Sequence, residues 1–288
     1  MEKNEIYKEI QACYHDAPGN LVTEEMTENP ELLGTRIFDE PLLGFASADD
    51  PLFREYKKEG VIGPWFMGPK EWLSDAETVV SIFLPFSDAV KKSNWEDREV
   101  PSDLWLIGRV EGQDFISRFA EAVRNRFTEL GISACAPGID PRFHAIKGGK
   151  GMDGFPGITE KTYGSNWSER HAAYAAGLGT FGLSKGLITR KGIAGRFSSI
   201  IISEIIEPDE RIYEGIYDYC VMCGACIRRC PAEAITMEKG KDHTVCGPWL
   251  TRTAQLYAPR FGCGKCQTKV PCESQIPVKA FRDAAAKV

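Results

Sequence analysis

The sequence predicts a mixed α/β fold, an α/β core followed by a small cysteine-rich domain, and three observations carry that prediction. Glu77 to Pro85 is a run of β-branched and apolar residues, as a strand covered on both faces would be. Gln113 to Leu130 repeats Phe115, Phe119, Val123 and Phe127 at helical spacing, Gly131 stops the helix, and Ile132 to Ala136 begins another strand. Strand, helix and strand in this order suggest an α/β core. Third, eight of the ten cysteines lie between residues 220 and 272. The 288 residues, 43% of them hydrophobic, suffice for one sizeable core and one small extra domain. The expected division is a wrapping segment over 1–75, the α/β domain over 76–210 and the cysteine-rich domain over 211–288.

Taken in order, the chain opens on an amphipathic helix in which Ile6, Ile10 and Cys13 recur at helical intervals. Prolines and glycines then punctuate residues 30–69, so no long regular element is expected there. Trp65, Phe66 and Trp72 in this stretch are read as buried packing rather than as a pocket lining. Cys135, in the second strand, and Cys13 are read as small buried thiols. Between Asp140 and Asn166 the glycine-rich Lys147-Gly-Gly-Lys-Gly-Met-Asp-Gly stretch predicts a loop, the first place to look for a cleft lid. Ser168 then caps a helix running to Gly177. Ser198 to Ile206 reads as a further buried strand.

Gly177-Leu178-Gly179-Thr-Phe-Gly182 matches the dinucleotide fingerprint G-x-G-x-x-G, but its context is reversed. That fingerprint needs a strand before the glycines and a helix after them, so that phosphate meets the helix N-terminus. Here a helix precedes and a strand-like run follows. These glycines are expected instead to let the backbone lie flat against a neighbouring element or a planar cofactor.

The cysteines read Cys220-x2-Cys223-x2-Cys226-x3-Cys230-Pro231, then Cys246, then Cys263-x2-Cys266-x5-Cys272. Three thiolates at successive two-residue gaps followed by Cys-Pro is the bacterial ferredoxin run, whose fourth cysteine ligates a second cluster. Two 4Fe-4S clusters take four thiolates each. Cys220, Cys223 and Cys226 then need one distant partner, for which Cys272 is the candidate, and Cys230 joins Cys246, Cys263 and Cys266. Structural zinc also uses Cys-x2-Cys, but as separated pairs, which three consecutive gaps do not suit. A disulfide framework suits neither the chain length nor the short-range grouping.

The formal net charge of −6 and pI of about 5.5 argue against a large nucleic-acid footprint. No apolar run approaches the roughly 18 residues of a membrane span, and the charged start lacks a signal core, so a cytoplasmic protein without membrane contact is expected.

The block Ser168-Glu-Arg-His-Ala-Ala-Tyr-Ala-Ala-Gly-Leu-Gly-Thr-Phe-Gly, the strands to Ile206, the Cys220 run and the Cys263 run, in that order, resemble the epoxyqueuosine reductase family and the related catalytic domains of reductive dehalogenases. The resemblance covers about two-thirds of the chain and is more faintly visible over Thr78 to Phe86 and Gly108 to Gly131. It implies a nitroreductase-like α/β domain beside a ferredoxin-like domain with two 4Fe-4S clusters. It also implies a base-off cobalamin next to the glycine block, with Gly177, Leu178, Gly179 and Gly182 as cofactor-binding residues. The implied electron path runs from a donor such as ferredoxin or flavodoxin through both clusters to the corrinoid, for reduction of a small molecule or a modified nucleoside. No Asp-x-His-x-x-Gly motif is present to supply a cobalt ligand, and His15, His144, His171 and His243 are read as ordinary polar residues.

Three departures qualify the resemblance. Epoxyqueuosine reductases carry an Asp in a Val-Asp-x-x-Pro segment as proton donor; counting back from Glu169 without gaps reaches Tyr163, and a tyrosine has that role in reductive dehalogenases. Tyr163 is therefore the candidate acid, with Lys161 and Arg170 as the nearest cations in sequence. The chain ends at Val288 without a C-terminal helical-repeat extension, which makes tRNA possible but not the favoured substrate. The last cysteine run is Cys266-Gln-Thr-Lys-Val-Pro-Cys272, so the loop placing Cys272 is longer than in relatives. The competing function is an electron-transfer protein of ferredoxin type that serves a partner enzyme without a corrinoid. About 200 residues beyond the cysteine-rich segment favour a site over a bare carrier.

Overall fold

The computed structural model describes residues 1–152 and 155–278. Asp153 and Gly154 of the glycine-rich stretch, and residues 279–288 of the expected last domain, lie outside the described residues. The elements in chain order are α1 (Lys3–Asp16), β1 (Leu42–Ser47), α2 (Pro51–Glu55), α3 (Pro69–Trp72), β2 (Thr78–Pro85), α4 (Asp88–Ser93), α5 (Asp103–Glu129) and β3 (Ala134–Cys135). They continue with β4 (Ala145–Lys147), β5 (Tyr163–Ser165), α6 (Glu169–Ala175), β6 (Gly179–Phe181), β7 (Leu187–Thr189) and β8 (Gly195–Ile202). The cysteine-rich part adds α7 (Ala225–Arg229), β9 (Ile235–Thr236), β10 (Gly240–Lys241) and α8 (His243–Tyr257).

The main sheet has the order β1-β2-β8-β3, and every neighbouring pair is antiparallel. β2 is buried along its whole length, which its unbroken apolar run requires. The strand-helix-strand reading is therefore right in elements, but β8 sits between β2 and β3, so the core is a layered α+β arrangement. One face of the sheet packs on α1 and α5 through Ile6, Ile10, Phe115, Phe119 and Val80. The other carries α6 and an aromatic layer in which Phe66 and Phe53 stack on Trp167 at 5.7 and 6.0 Å. Phe66 and Trp72 are packing residues of that layer.

Two boundaries differ from expectation. Residues 1–75 do not only wrap the core: β1 hydrogen-bonds along β2, and α1 lies against α5. α5 starts at Asp103, before Gln113, because Ser102 caps it, its Oγ accepting from Trp105 N at 3.2 Å, and its first turns are buried nearly all round. That burial hides the amphipathic period that marks the later turns. Within the expected loop over 140–166, β4 and β5 form a short hairpin that pairs Tyr163 with Lys147.

The cysteine-rich part docks on the α/β part through its ligand-bearing loops. Asn94 donates to Cys263 O at 3.0 Å and to Thr268 Oγ1 at 3.2 Å. Ile193 N donates to Cys272 O at 2.8 Å and Ala194 N to Glu273 O at 3.1 Å. The longer run between Cys266 and Cys272 thus lays Cys272 along the connection from β7 to β8.

Candidate metal centre

The eight cysteines come from a loop and α7, from α8 and from the last described segment, and they gather in two groups. Burial pushes the Cys226 thiol up to about 12, and the neighbouring charges of Cys266, Cys220 and Cys223 add to it. Cys272 is raised by burial and then by Cys226, Cys220 and Cys223. Burial likewise raises Cys263 to about 11, with Cys266 and Cys246 contributing, and raises Cys246, with Cys266 and Cys230 contributing. These influences link Cys272 with Cys220, Cys223 and Cys226, and Cys246 with Cys230, Cys263 and Cys266, as the expected partition requires, although Cys226 feels Cys266 as well. Cys226 and Cys266 are where the groups meet.

This donor set fits iron–sulfur clusters. Buried thiols with such raised pKa values stay protonated by themselves, and a metal charge is what makes thiolates stable there. Among the described residues no three of His, Cys, Asp and Glu converge on a single-ion site. A cubane spreads its four thiolates over separate irons, whereas tetrahedral zinc draws them to one point. The loop from Cys220 to Cys226 can wind round a cluster because Gly224 and Met222 both take positive φ, +67° and 52°. Ala234 N donates to Cys230 Sγ at 3.3 Å.

Beside the second group lies a cluster of cations. Arg196 Nη2 donates to Arg109 O at 2.6 Å, and the Arg109 guanidinium lies over the Phe261 ring at 4.3 Å. Burial pushes Arg196 down to about 9, helped by the charges of Arg109 and Arg170. Arg170 has an exposed side chain and lies close enough to Cys266 to feel its charge. Lys241 Nζ reaches Cys266 Sγ at 3.9 Å. The ion-paired arginines are Arg124, Arg126, Arg142, Arg211 and Arg260. Among the described residues Arg109, Arg170, Arg196 and Lys241 have no carboxylate partner.

Tyr163 stands at the rim, 37% exposed, its ring stacked on His243 at 5.9 Å and 22°. A Cβ added at Gly247, next to Cys246, would lie 3.1 Å from its hydroxyl. The candidate acid is thus beside the second cysteine group. Burial first, and then Lys241, lower His243 to about 4, and burial and Arg170 lower His171 to about 4. Both rings are neutral at pH 7, and Ser168, expected as a cap, bonds the His171 ring at 2.7 Å. Glu169 is raised to about 7 by burial, and its Oε2 has no hydrogen-bond partner.

The glycine block faces the chain itself. A Cβ on Gly179 would meet Ile188 O at 1.9 Å, and one on Gly182 would meet Ile188 Cδ1 at 3.2 Å and Cys220 Sγ at 3.9 Å. Gly177, at φ +75°, would meet Glu210 O at 3.2 Å, and Leu178 packs beside Tyr174 and Leu187. The tight β6–β7 hairpin accounts for Gly179 and Gly182 without a cofactor. Pattern reading missed Arg109, Arg196, Lys241 and Glu169, because nothing in the sequence around a charged residue marks whether it has a partner in the fold.

Residues 213–236, which contain the whole Cys220 run, match the 4Fe-4S binding domain family. The chain is 36% identical over 113 residues to an epoxyqueuosine reductase of Leadbetterella byssophila, a match spanning 35% of this chain and 36% of that relative. The chain resembles the epoxyqueuosine reductases. Its fold is similar to that of an epoxyqueuosine reductase solved with an epoxyqueuosine-modified tRNA-Tyr stem loop, with TM-score 0.51 and 16% identity over 95% of this chain and 67% of that one. A catabolic reductive dehalogenase aligns with TM-score 0.48 and 16% identity over 85% of this chain and 31% of that one. A 4Fe-4S binding domain beside an epoxyqueuosine reductase-like mixed α/β fold is thereby established. No helix among the described residues is long and apolar enough to cross a membrane.

Proposed function

We propose that the protein is an iron–sulfur oxidoreductase in which two 4Fe-4S clusters would carry electrons to a site beside Cys246, Cys263 and Cys266, next to Tyr163 and Lys241. The observation that carries this reading is the gathering of eight thiols into two adjoining sets, one of which lies beside Tyr163 and a cluster of cations without carboxylate partners. A bare carrier needs no such cluster of cations. The reaction is the reduction of a small molecule or a modified nucleoside. The tRNA-bound relative makes a nucleoside plausible, while the net charge of −6 gives no support to a large RNA footprint.

The cofactor implied by the resemblance is a corrinoid, which when bound supplies strongly reducing cobalt chemistry. The residues that fit its polar periphery are the unpartnered Arg109, Arg170, Arg196 and Lys241, since each has donors left for a ligand. The role of Gly177, Leu178, Gly179 and Gly182 is to hold the β6–β7 turn beside the first cysteine group. Tyr163 holds a proton at its phenolic oxygen and delivers it where negative charge develops on the substrate. The donor is a low-potential one-electron carrier of the ferredoxin or flavodoxin kind, and the site of action is the cytoplasm.

Anaerobic purification tests the reading. The expected result is about eight irons per chain, a broad visible absorption that bleaches on reduction, and retention of added cobalamin through gel filtration. Zinc without iron would end the proposal. Eight irons with no cobalamin retained would leave the electron-carrier reading in its place.

A further inference from the structure

The two cysteine groups sit in unlike electrostatic surroundings. Around Cys220, Cys223, Cys226 and Cys272 the adjoining core is apolar, formed by Ile188, Ile193 and Val270; Arg228 reaches this loop, but its Nη1 donates to the Cys223 carbonyl at 3.2 Å and not to a sulfur, and the charges that bear most on Cys226 and Cys272 are those of other cysteines. Around Cys230, Cys246, Cys263 and Cys266 the neighbours are cations. Lys241 Nζ contacts Cys266 Sγ at 3.9 Å and lies within reach of Cys246 and Cys263. Arg109 acts on Cys246 and Cys263, Arg170 on Cys266, and Arg229 on Cys263. Lys265, between two of the ligands and fully buried, is fixed by Asn94, with Nζ 2.8 Å from Oδ1 and 3.1 Å from the carbonyl.

A reduced cluster carries one more negative charge than an oxidised one. Fixed cations stabilise the reduced form, and a hydrogen bond to a ligating sulfur does the same, so both raise the reduction potential. In a partly buried site with low effective dielectric, one such charge close to the sulfurs outweighs several at the surface. We propose that Lys241 and the arginines around it make the second cluster the more easily reduced of the pair, so that electrons enter at the first cluster and collect at the second, beside Tyr163. Lys241 is the positioning residue of this gradient. The step moves one electron: the first cluster is oxidised by one, the second reduced by one, and a low-potential one-electron donor restores the first. This inference rests on the two-cluster reading above and adds a direction to it.

The test is an anaerobic redox titration of the whole iron-loaded protein followed by electron paramagnetic resonance, with iron counted in every sample. The wild-type chain should show two steps, with Cys272→Ser perturbing the more negative one and so identifying the first cluster. Lys241→Met should move the more positive step downward by about 59 mV, which is a tenfold change in electron sharing for one electron. Lys241→Arg should hold it in place, and Lys241→Gln carries the same expectation as Met if the Met variant does not assemble. Two signals with full iron and a step that Lys241→Met and Lys241→Gln leave unmoved would overturn the gradient alone. Half the iron and a single signal in the wild type would overturn the two-cluster reading itself.

Discussion

Tyr163 and Glu169 show what single residues contribute and what they conceal. Tyr163 was legible only through the count back from Glu169, since nothing in its own neighbourhood of Thr162 and Gly164 marks a proton donor. The fold places its hydroxyl beside Gly247, one residue from a cluster ligand. Tyr163→Phe keeps the ring and its stacking on His243 while removing one proton. Single-turnover reduction with a chemical donor should slow by about 10²- to 10⁴-fold with iron content unchanged, and equal rates would return Tyr163 to an anchoring role. Glu169 makes a different prediction. Its carboxyl is raised to about 7 by burial, from the 4.5 of an exposed glutamate. Between these values the folded state binds more protons than the unfolded one, so stability falls as pH rises from 4.5 to 7 and then levels. The loss is about 3 kcal/mol. Glu169→Gln should flatten that slope in urea melts at pH 5, 6 and 8, and a slope identical to wild type would show that Glu169 is already ionised in the fold.

Elements were legible where a helix has one apolar face or a strand forms an unbroken apolar run, and illegible where a helix is buried all round or the chain reverses. The ends of β2 and the later turns of α5 follow from their patterns, whereas the first turns of α5 do not, because Leu104, Trp105, Leu106 and Ile107 are all buried. The place of β8 between β2 and β3 also lay beyond the sequence, since pairing partners are set by the layers on either side of the sheet. The glycine block is the instructive case. The spacing of Gly177, Gly179 and Gly182 was right as a sign of close approach, but what approaches is Ile188 across the hairpin. Gly179→Val would drive a side chain into Ile188 O, where a Cβ already comes within 1.9 Å. Overpacking of this kind costs about 1–3 kcal/mol. The thermal midpoint should drop by roughly 2–12 °C, from 2–4 °C per kcal/mol in a chain of this size. An unchanged midpoint would mean that the hairpin tolerates the branch, and would restore the cofactor as the reason for this glycine.

At the scale of the molecule, the α/β part is joined to the loops that carry the candidate cluster ligands. The Cys motifs gave the candidate ligands, but no pattern in them revealed that Cys272 is held from the other part of the chain. Ile193 N and Ala194 N donate to Cys272 O and Glu273 O, and this strap can approach so closely because Gly192 has no side chain. A Cβ there would lie 2.2 Å from Glu273 O, and Gly192 also takes φ +84°, where an L side chain is strained. Both effects act in the same direction. Gly192→Ala should therefore push the Cys272 strap off its support while leaving all eight thiols in the chain, at a cost of about 1–2 kcal/mol from the backbone alone. Cys230, Cys246, Cys263 and Cys266 do not depend on that contact. The expected outcome is a protein that keeps the second cluster's paramagnetic signal and loses at least half of the first cluster's, with iron falling from about eight toward four per chain. Equal loss of both signals would show that the clusters assemble as a single unit, and full retention of both would show that Cys272 finds its place without the strap.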